Sequence, residues 1–143
     1  MHVRMAPAVP GRLGVALVAG ALLLGCGPPR STDDVRVQWA LDPAAPSASI
    51  DTIARITVHD ERRQPVTGAR LQLEAHMSHP GMAPVVGRFT DRGGGAYDTR
   101  LQFSMAGDWV LVVTGELPDG RRITRSLPVA GVRPAGERPP LIW

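Results

Sequence analysis

The feature that most constrains this chain is a recurrence of short runs in which apolar and polar residues alternate. They are rich in β-branched side chains, and clusters of Gly, Pro and Asp separate them at intervals of about ten residues. In the run from Ile53 to Asp60, Ala54, Ile56 and Val58 alternate with Arg55, Thr57 and His59. From Ala69 to Met77, Leu71, Leu73, Ala75 and Met77 share one face, while Arg70, Gln72, Glu74 and His76 share the other. Successive side chains of a strand point to opposite faces, so each run has one dry side and one wet side and must bury the dry one against a second sheet. No segment reads as a long amphipathic helix.

Seven such runs are present: Val35 to Leu41, Ile53 to Asp60, Ala69 to Met77, Val85 to Thr90, Ala96 to Phe103, Asp108 to Leu117 and Arg122 to Val129. Gln64-Pro65-Val66-Thr67-Gly68 and Asp91-Arg92-Gly93-Gly94-Gly95 read as connections, and Leu117-Pro118-Asp119-Gly120-Arg121 reads as a hairpin with Asp-Gly in the turn. The expectation is an all-β fold, an immunoglobulin-like antiparallel β-sandwich of about seven strands over residues 35–129, without the usual bridging cysteines. Hydrophobic residues make up 43% of the chain and charged residues 20%, the balance of a protein that folds. With two Phe and one Tyr, aliphatic side chains must fill most of the core, and Trp39 and Trp109 are its expected large anchors.

The start of the chain has a different pattern. Arg4 and Arg12 form a positive region, followed by an apolar run from Leu13 to Leu24 and then Gly25-Cys26. That run of about twelve residues falls short of the roughly 20 needed to cross a bilayer as a helix. It has the proportions of a cleaved signal peptide over residues 1–25. Leu23-Leu24-Gly25-Cys26 resembles the bacterial lipobox, which makes Cys26 the lipid-carrying N-terminus of an extracytoplasmic protein, held to the cell membrane or outer membrane through that lipid. Residues 26–34 are then a Pro-rich polar tether, and residues 130–143 (AGVRPAGERPPLIW) a Pro-rich tail. Cys26 is the only cysteine, so no internal disulfide can form.

All sixteen basic residues are Arg; two of them lie in the leader and all thirteen acids lie after it, leaving the remainder close to neutral. The arginines are interspersed with acids and form no stripe, so a nucleic-acid partner is not expected. Catalysis has no visible apparatus either. No serine sits in a glycine-flanked elbow, the cysteine is assigned to lipid, and Gly93-Gly94-Gly95 lacks the Lys-Ser/Thr of a phosphate loop. The expectation is a non-enzymatic protein.

One segment carries suggestive chemistry. His76-Met77-Ser78-His79-Pro80-Gly81-Met82 packs two imidazoles and two thioethers into seven residues, and Met105 stands at another strand end. Thioether sulfur is a soft, neutral ligand that selects Cu(I), and imidazole suits either copper oxidation state. A copper site drawn from His76, Met77, His79, Met82 and Met105 is therefore one reading. The other is structural, because Met77 lies on the Leu71–Leu73 face and Met105 continues the Leu101–Phe103 alternation, which gives both a place in a core.

The same residues resemble the YtkA-like family, related to the FixH group of exported proteins. The resemblance runs over about Ile53 to Val129. It is carried by Arg63-Gln64-Pro65-Val66-Thr67-Gly68-Ala69, the Met- and His-containing loop His76 to Met82, the Gly95-Ala96-Tyr97 element, and Phe103-Ser104-Met105-Ala106-Gly107-Asp108-Trp109 before an apolar strand. It implies an extracytoplasmic β-sandwich without established enzymatic activity, with FixH-type relatives associated with haem-copper oxidase assembly and cation handling. Those relatives usually carry a transmembrane anchor, whereas this chain reads as lipid-anchored, and both histidines of this loop precede Met82 instead of following a Met-x-x-Met-Gly pattern. Two functions remain open: a lipoprotein that binds Cu(I) for delivery or sequestration, with a copper-handling partner, or an interaction module for a membrane-protein partner with no metal role.

Mass spectrometry of membrane-extracted protein is expected to show a chain that begins at an acylated Cys26, and Cys26→Ser is expected to abolish processing and membrane retention. Retention of residues 1–25, or normal processing of the variant, contradicts the lipoprotein assignment.

Overall fold

The computed structural model describes residues 34–79 and 81–137. The expected leader, Cys26 and nearly all of the expected tether lie outside the described residues, as do Pro80 and residues 138–143. Eight strands form: β1 (Arg36–Asp42), β2 (Asp51–His59), β3 (Arg70–Met77), β4 (Val85–Arg88), β5 (Thr90–Gly93), β6 (Ala96–Gln102), β7 (Gly107–Glu116) and β8 (Arg122–Val132). They make two four-stranded sheets, ordered β1-β2-β6-β5 and β4-β3-β7-β8, with every neighbouring pair antiparallel. The two-sheet sandwich expected from the alternation is what the chain forms.

The eighth strand comes from a segment that reads as a turn. The run Val85 to Thr90 divides at Phe89, so that β4 pairs with β3 in one sheet and β5 with β6 in the other. Phe89 N–H donates to Leu71 O at 3.1 Å, holding the crossing point against β3. Gly87 allows the close approach that the crossing needs, since a Cβ there would stand 2.9 Å from Thr99 Oγ1 of β6. The true tight turn is confined to Gly94-Gly95, both with positive φ. At the other end of the domain, β8 continues to Val132, past its expected end at Val129, and Arg133 bridges to Ser47 in the β1–β2 connection.

The inward positions meet in a dry core. Trp109, Tyr97, Phe103, Leu73, Leu111, Ile123, Val58 and Val113 are fully buried. The Phe103 and Trp109 rings meet edge to face, with centroids 5.3 Å apart and planes at 65°, a geometry worth about 0.5–1.5 kcal/mol beyond area burial. Trp39 departs from expectation. It shares the inward side of β1 with Val37 and Leu41, yet it remains 37% exposed. β1 is an edge strand, and the opposite sheet ends there at its own edge strand β8, so the indole forms the wall of a shallow apolar hollow with Pro46 and Pro128 instead of anchoring the core.

Polar atoms that enter the core are satisfied by the backbone. Tyr97 O–H donates to Val66 O at 2.7 Å and accepts from Ala69 N–H at 3.1 Å, fixing the β2–β3 connection; burial raises its pKa. Nearby, Asp91 accepts from Gly68 N–H at 2.6 Å and Gly93 N–H at 2.7 Å, which holds its carboxyl below the usual range.

The topology gives the domain two distinct ends. The β2–β3, β5–β6 and β7–β8 connections gather where the chain enters β1. The β1–β2, β3–β4 and β6–β7 connections gather at the opposite end. Because Trp109 closes the core at the end where the β6–β7 connection lies, Trp109→Ala is expected to destabilise the fold by about 3–5 kcal/mol in urea denaturation, as for other large-to-small core changes. A variant as stable as the parent would contradict this packing.

Candidate functional site

The thioether- and imidazole-bearing residues lie at the end of the domain remote from the start of β1. Strand alternation in β3 separates two of them at once. His76 is on the outer face of its sheet with Glu74, and Met77 is on the inner face with Ala75 and Leu73. His76 Nε2–H donates to Glu74 Oε2 at 3.1 Å, with both side chains partly exposed, so Nδ1 is the nitrogen left for another partner.

Met77 is half-buried against the edge of the core. Its strand partner across the ladder is Trp109, and the next residue, Ser78, donates its N–H to Asp108 O at 3.1 Å. This pairing brings the end of β3 alongside the start of β7. There Gly107 has a φ of +128°, and a Cβ built on it would lie 3.0 Å from Met77 Cε. The end of the Met77 side chain thus lies over a residue that has none.

Met105 sits two residues before Gly107, in the β6–β7 corner. Its carbonyl accepts the indole N–H of Trp109 at 3.1 Å, and its side chain is 49% exposed. The alternation that would carry Met105 into the core ends with Phe103, because β6 stops at Gln102 and the corner Ser104–Ala106 turns the chain over to the other sheet. The β3–β4 loop supplies the remaining donors. His79 is exposed one residue beyond Ser78, and Met82 is 39% exposed just after Gly81, whose φ is +96°.

The structure therefore brings Met77, His79 and Met105 onto adjoining segments at one end, carries Met82 on the β3–β4 loop at the same end, and sets His76 on the outer face of the sheet. Among the described residues no three His, Cys, Asp or Glu side chains come together as a metal-holding group. What gathers here is a mixed set dominated by thioethers, the chemistry of a soft cation and not of a hard one. Cys26 falls outside the described residues.

Sequence reasoning missed one neighbour of this region. Ile50 is 49% exposed, and the preceding Ser49 N–H donates to Phe103 O at 2.8 Å, which ties the β1–β2 connection to the β6–β7 corner. Only the fold reveals this, because the two segments are more than fifty residues apart.

Two antiparallel sheets closed on an aliphatic core, with donor-bearing loops at one end, define a small all-β sandwich domain. The chain belongs to the YtkA-like family, whose model matches residues 31–114. The match begins earlier than the resemblance read from the motifs, taking in β1, and ends within β7, so that β8 lies beyond it. Among solved structures, a DUF4426 family protein from Pseudomonas aeruginosa PAO1 is similar over 73% of this chain and 96% of its own length, at 15% identity and a TM-score of 0.53. That likeness concerns the fold. MtrC from Shewanella baltica OS185 is similar over 76% of this chain, which spans 23% of that protein, at 15% identity and a TM-score of 0.42. No curated protein sequence matches the chain.

Gly107→Ala tests the geometry directly. The added methyl must displace Met77 Cε and also occupy a backbone conformation that L-residues rarely adopt. The Met77 methyl resonance is expected to shift strongly in this variant, with those of Met82 and Met105 moving less and thermal stability reduced. An unmoved Met77 methyl contradicts the contact.

Proposed function

We propose that the protein is a lipid-anchored, extracytoplasmic, non-catalytic sandwich that binds one Cu(I) ion at the end bearing Met77, His79, Met82 and Met105. The observation that carries this reading is the contact of the Met77 side chain with Gly107, which places its thioether two residues along the chain from the exposed Met105. Cu(I) accepts two or three soft ligands in a low-coordinate site, and thioether with imidazole provides them without a charged group. His76 can join only through Nδ1 while Glu74 holds Nε2. A site on exposed side chains suits delivery or sequestration, because a partner protein can approach the ion and exchange ligands one at a time. Membership of the YtkA-like family supports the β-sandwich part of this reading.

A second reading draws on the same end of the molecule. Ile50, Met82 and Met105 are three of the large hydrophobic side chains that remain exposed, and flexible methionines suit an adaptable docking surface for a membrane-protein partner. In this reading the thioethers supply contact area and no metal is held.

Competition of the full chain against a Cu(I) chelator separates the two. One equivalent of Cu(I) is expected to bind, with His79→Ala, Met82→Leu and Met105→Leu each weakening it about tenfold or more, equivalent to about 1.4 kcal/mol. Leu approximates the volume of Met without its sulfur, and a surface change such as Met105→Leu is expected to alter stability by no more than about 0.5 kcal/mol. Loss of binding with folding intact assigns ligation. A parent protein that cannot compete for Cu(I) leaves the docking surface as the function of this end.

A further inference from the structure

At the opposite end of the domain, where the chain enters β1, a hollow on the outer face of the first sheet is lined by Arg36, Gln38, His59 and Arg63. These side chains come from three elements. Arg36 and Gln38 alternate outward on β1, His59 lies directly across the ladder from Arg36 at the end of β2, and Arg63 comes from the turn that follows. All four can donate hydrogen bonds, and two are permanent cations. Among the described residues none of these side chains has a hydrogen-bond or ion-pair partner in the chain, whereas Arg55, Arg70, Arg92, Arg100 and Arg121 each pair with a carboxylate.

Among the described residues, no carboxylate pairs with Arg36 or Arg63. Asp60 Oδ1 accepts the backbone N–H groups of Arg62 at 2.9 Å and Gln64 at 2.8 Å, so that carboxylate is committed to shaping the turn. Glu61 and Asp34 are exposed, and neither makes an ion pair with either guanidinium. The same turn holds Arg63 at a φ of +61°, in the left-handed region that a non-glycine residue avoids without compensation. Two guanidinium groups lining one hollow with two further donors, and with no carboxylate among the lining residues, suit a compact, multiply charged oxyanion.

We propose that this hollow binds a phosphate group, and that its source in the cell is the headgroup of a membrane lipid. The anion site stands independently of the Cu(I) reading; the assignment to a headgroup rests on lipid attachment at Cys26. Arg36 is ten chain steps from Cys26, and an extended chain covers at most about 3.3–3.6 Å per residue, so a membrane holding a lipid on Cys26 would lie within roughly 35 Å of the hollow. Lipid carried on one residue holds the chain at the membrane but leaves the domain's orientation free, and a basic contact beside it would fix which end faces the bilayer. Headgroup binding here turns the Met77–Met105 end away from the bilayer, towards whatever approaches from solution.

The test follows the His59 ring resonances of the full chain at fixed pH and ionic strength, with chloride as the control salt. In uncharged detergent micelles, inorganic phosphate is expected to shift them saturably, while Arg36→Gln and Arg63→Gln each require at least tenfold more phosphate and retain the parent's dispersed amide spectrum. In vesicles containing phosphatidylglycerol, His59 is expected to sit already at its shifted position and to ignore added phosphate. A saturable shift in micelles that persists unchanged in those vesicles keeps the anion site and overturns the headgroup assignment. No saturable shift, or an equal shift in folded Arg36→Gln and Arg63→Gln, overturns the site itself.

Discussion

The indole of Trp109 is 1% exposed, and its single polar atom must find an acceptor inside a core that offers few. It finds the carbonyl of Met105, four residues earlier. That hydrogen bond closes the β6–β7 corner, the edge-to-face contact with Phe103 sets the corner's depth, and the ladder pairing with Met77 fixes the end of β3 beside it. A buried donor left without its acceptor costs about 1–3 kcal/mol, so the corner cannot open without exposing or stranding the indole. The exposure of Met105 is thus a consequence of burying Trp109. The carbonyl is drawn in, and the side chain is left outside.

The alternation in β2, β3, β6 and β7 was legible because each of these strands is covered on one face and wet on the other, the condition under which a period of two survives in sequence. It failed in two places for different physical reasons. Trp39 obeys the alternation of β1, but parity reports only which way a side chain points. It does not report whether a second layer exists there, and on an edge strand that layer runs out. The short strand β5 was hidden because Thr90, Asp91, Arg92 and Gly93 are all exposed. A strand with no buried side chain has no hydrophobic signal, and it exists through its hydrogen bonds to β6 and the anchoring of Asp91.

The candidate site was legible as a list of donors and illegible as an arrangement. The clustering of His76, Met77, His79 and Met82 is a fact of sequence, while the approach of Met105 depends on a pairing between β3 and β7. The separation of His76 from Met77 follows from strand geometry once both are placed in β3, since adjacent residues of a strand face opposite ways. Gly107 acquires its meaning only from that pairing. In sequence it marks a corner, and in the fold it is the space over which the Met77 side chain lies.

The two ends of the sandwich differ in chemistry because strand order assigns loops to ends before any side chain is considered. Antiparallel neighbours send successive connections to opposite ends, except that β4 and β5 run on in one direction as the chain crosses between sheets; the thioether-bearing β3–β4 loop and β6–β7 corner therefore meet, and the Arg-bearing β2–β3 turn falls beside the start of β1. Moving a methionine from the β3–β4 loop to the β2–β3 turn would carry it the length of the domain while shifting it little in sequence. Exchanging residues between loops at the same end would leave the chemistry of that end nearly unchanged. What the sequence encodes at each end is therefore a composition gathered by topology. The ladder contacts at Trp109 and at the Arg36–His59 pair turn that composition into particular neighbours.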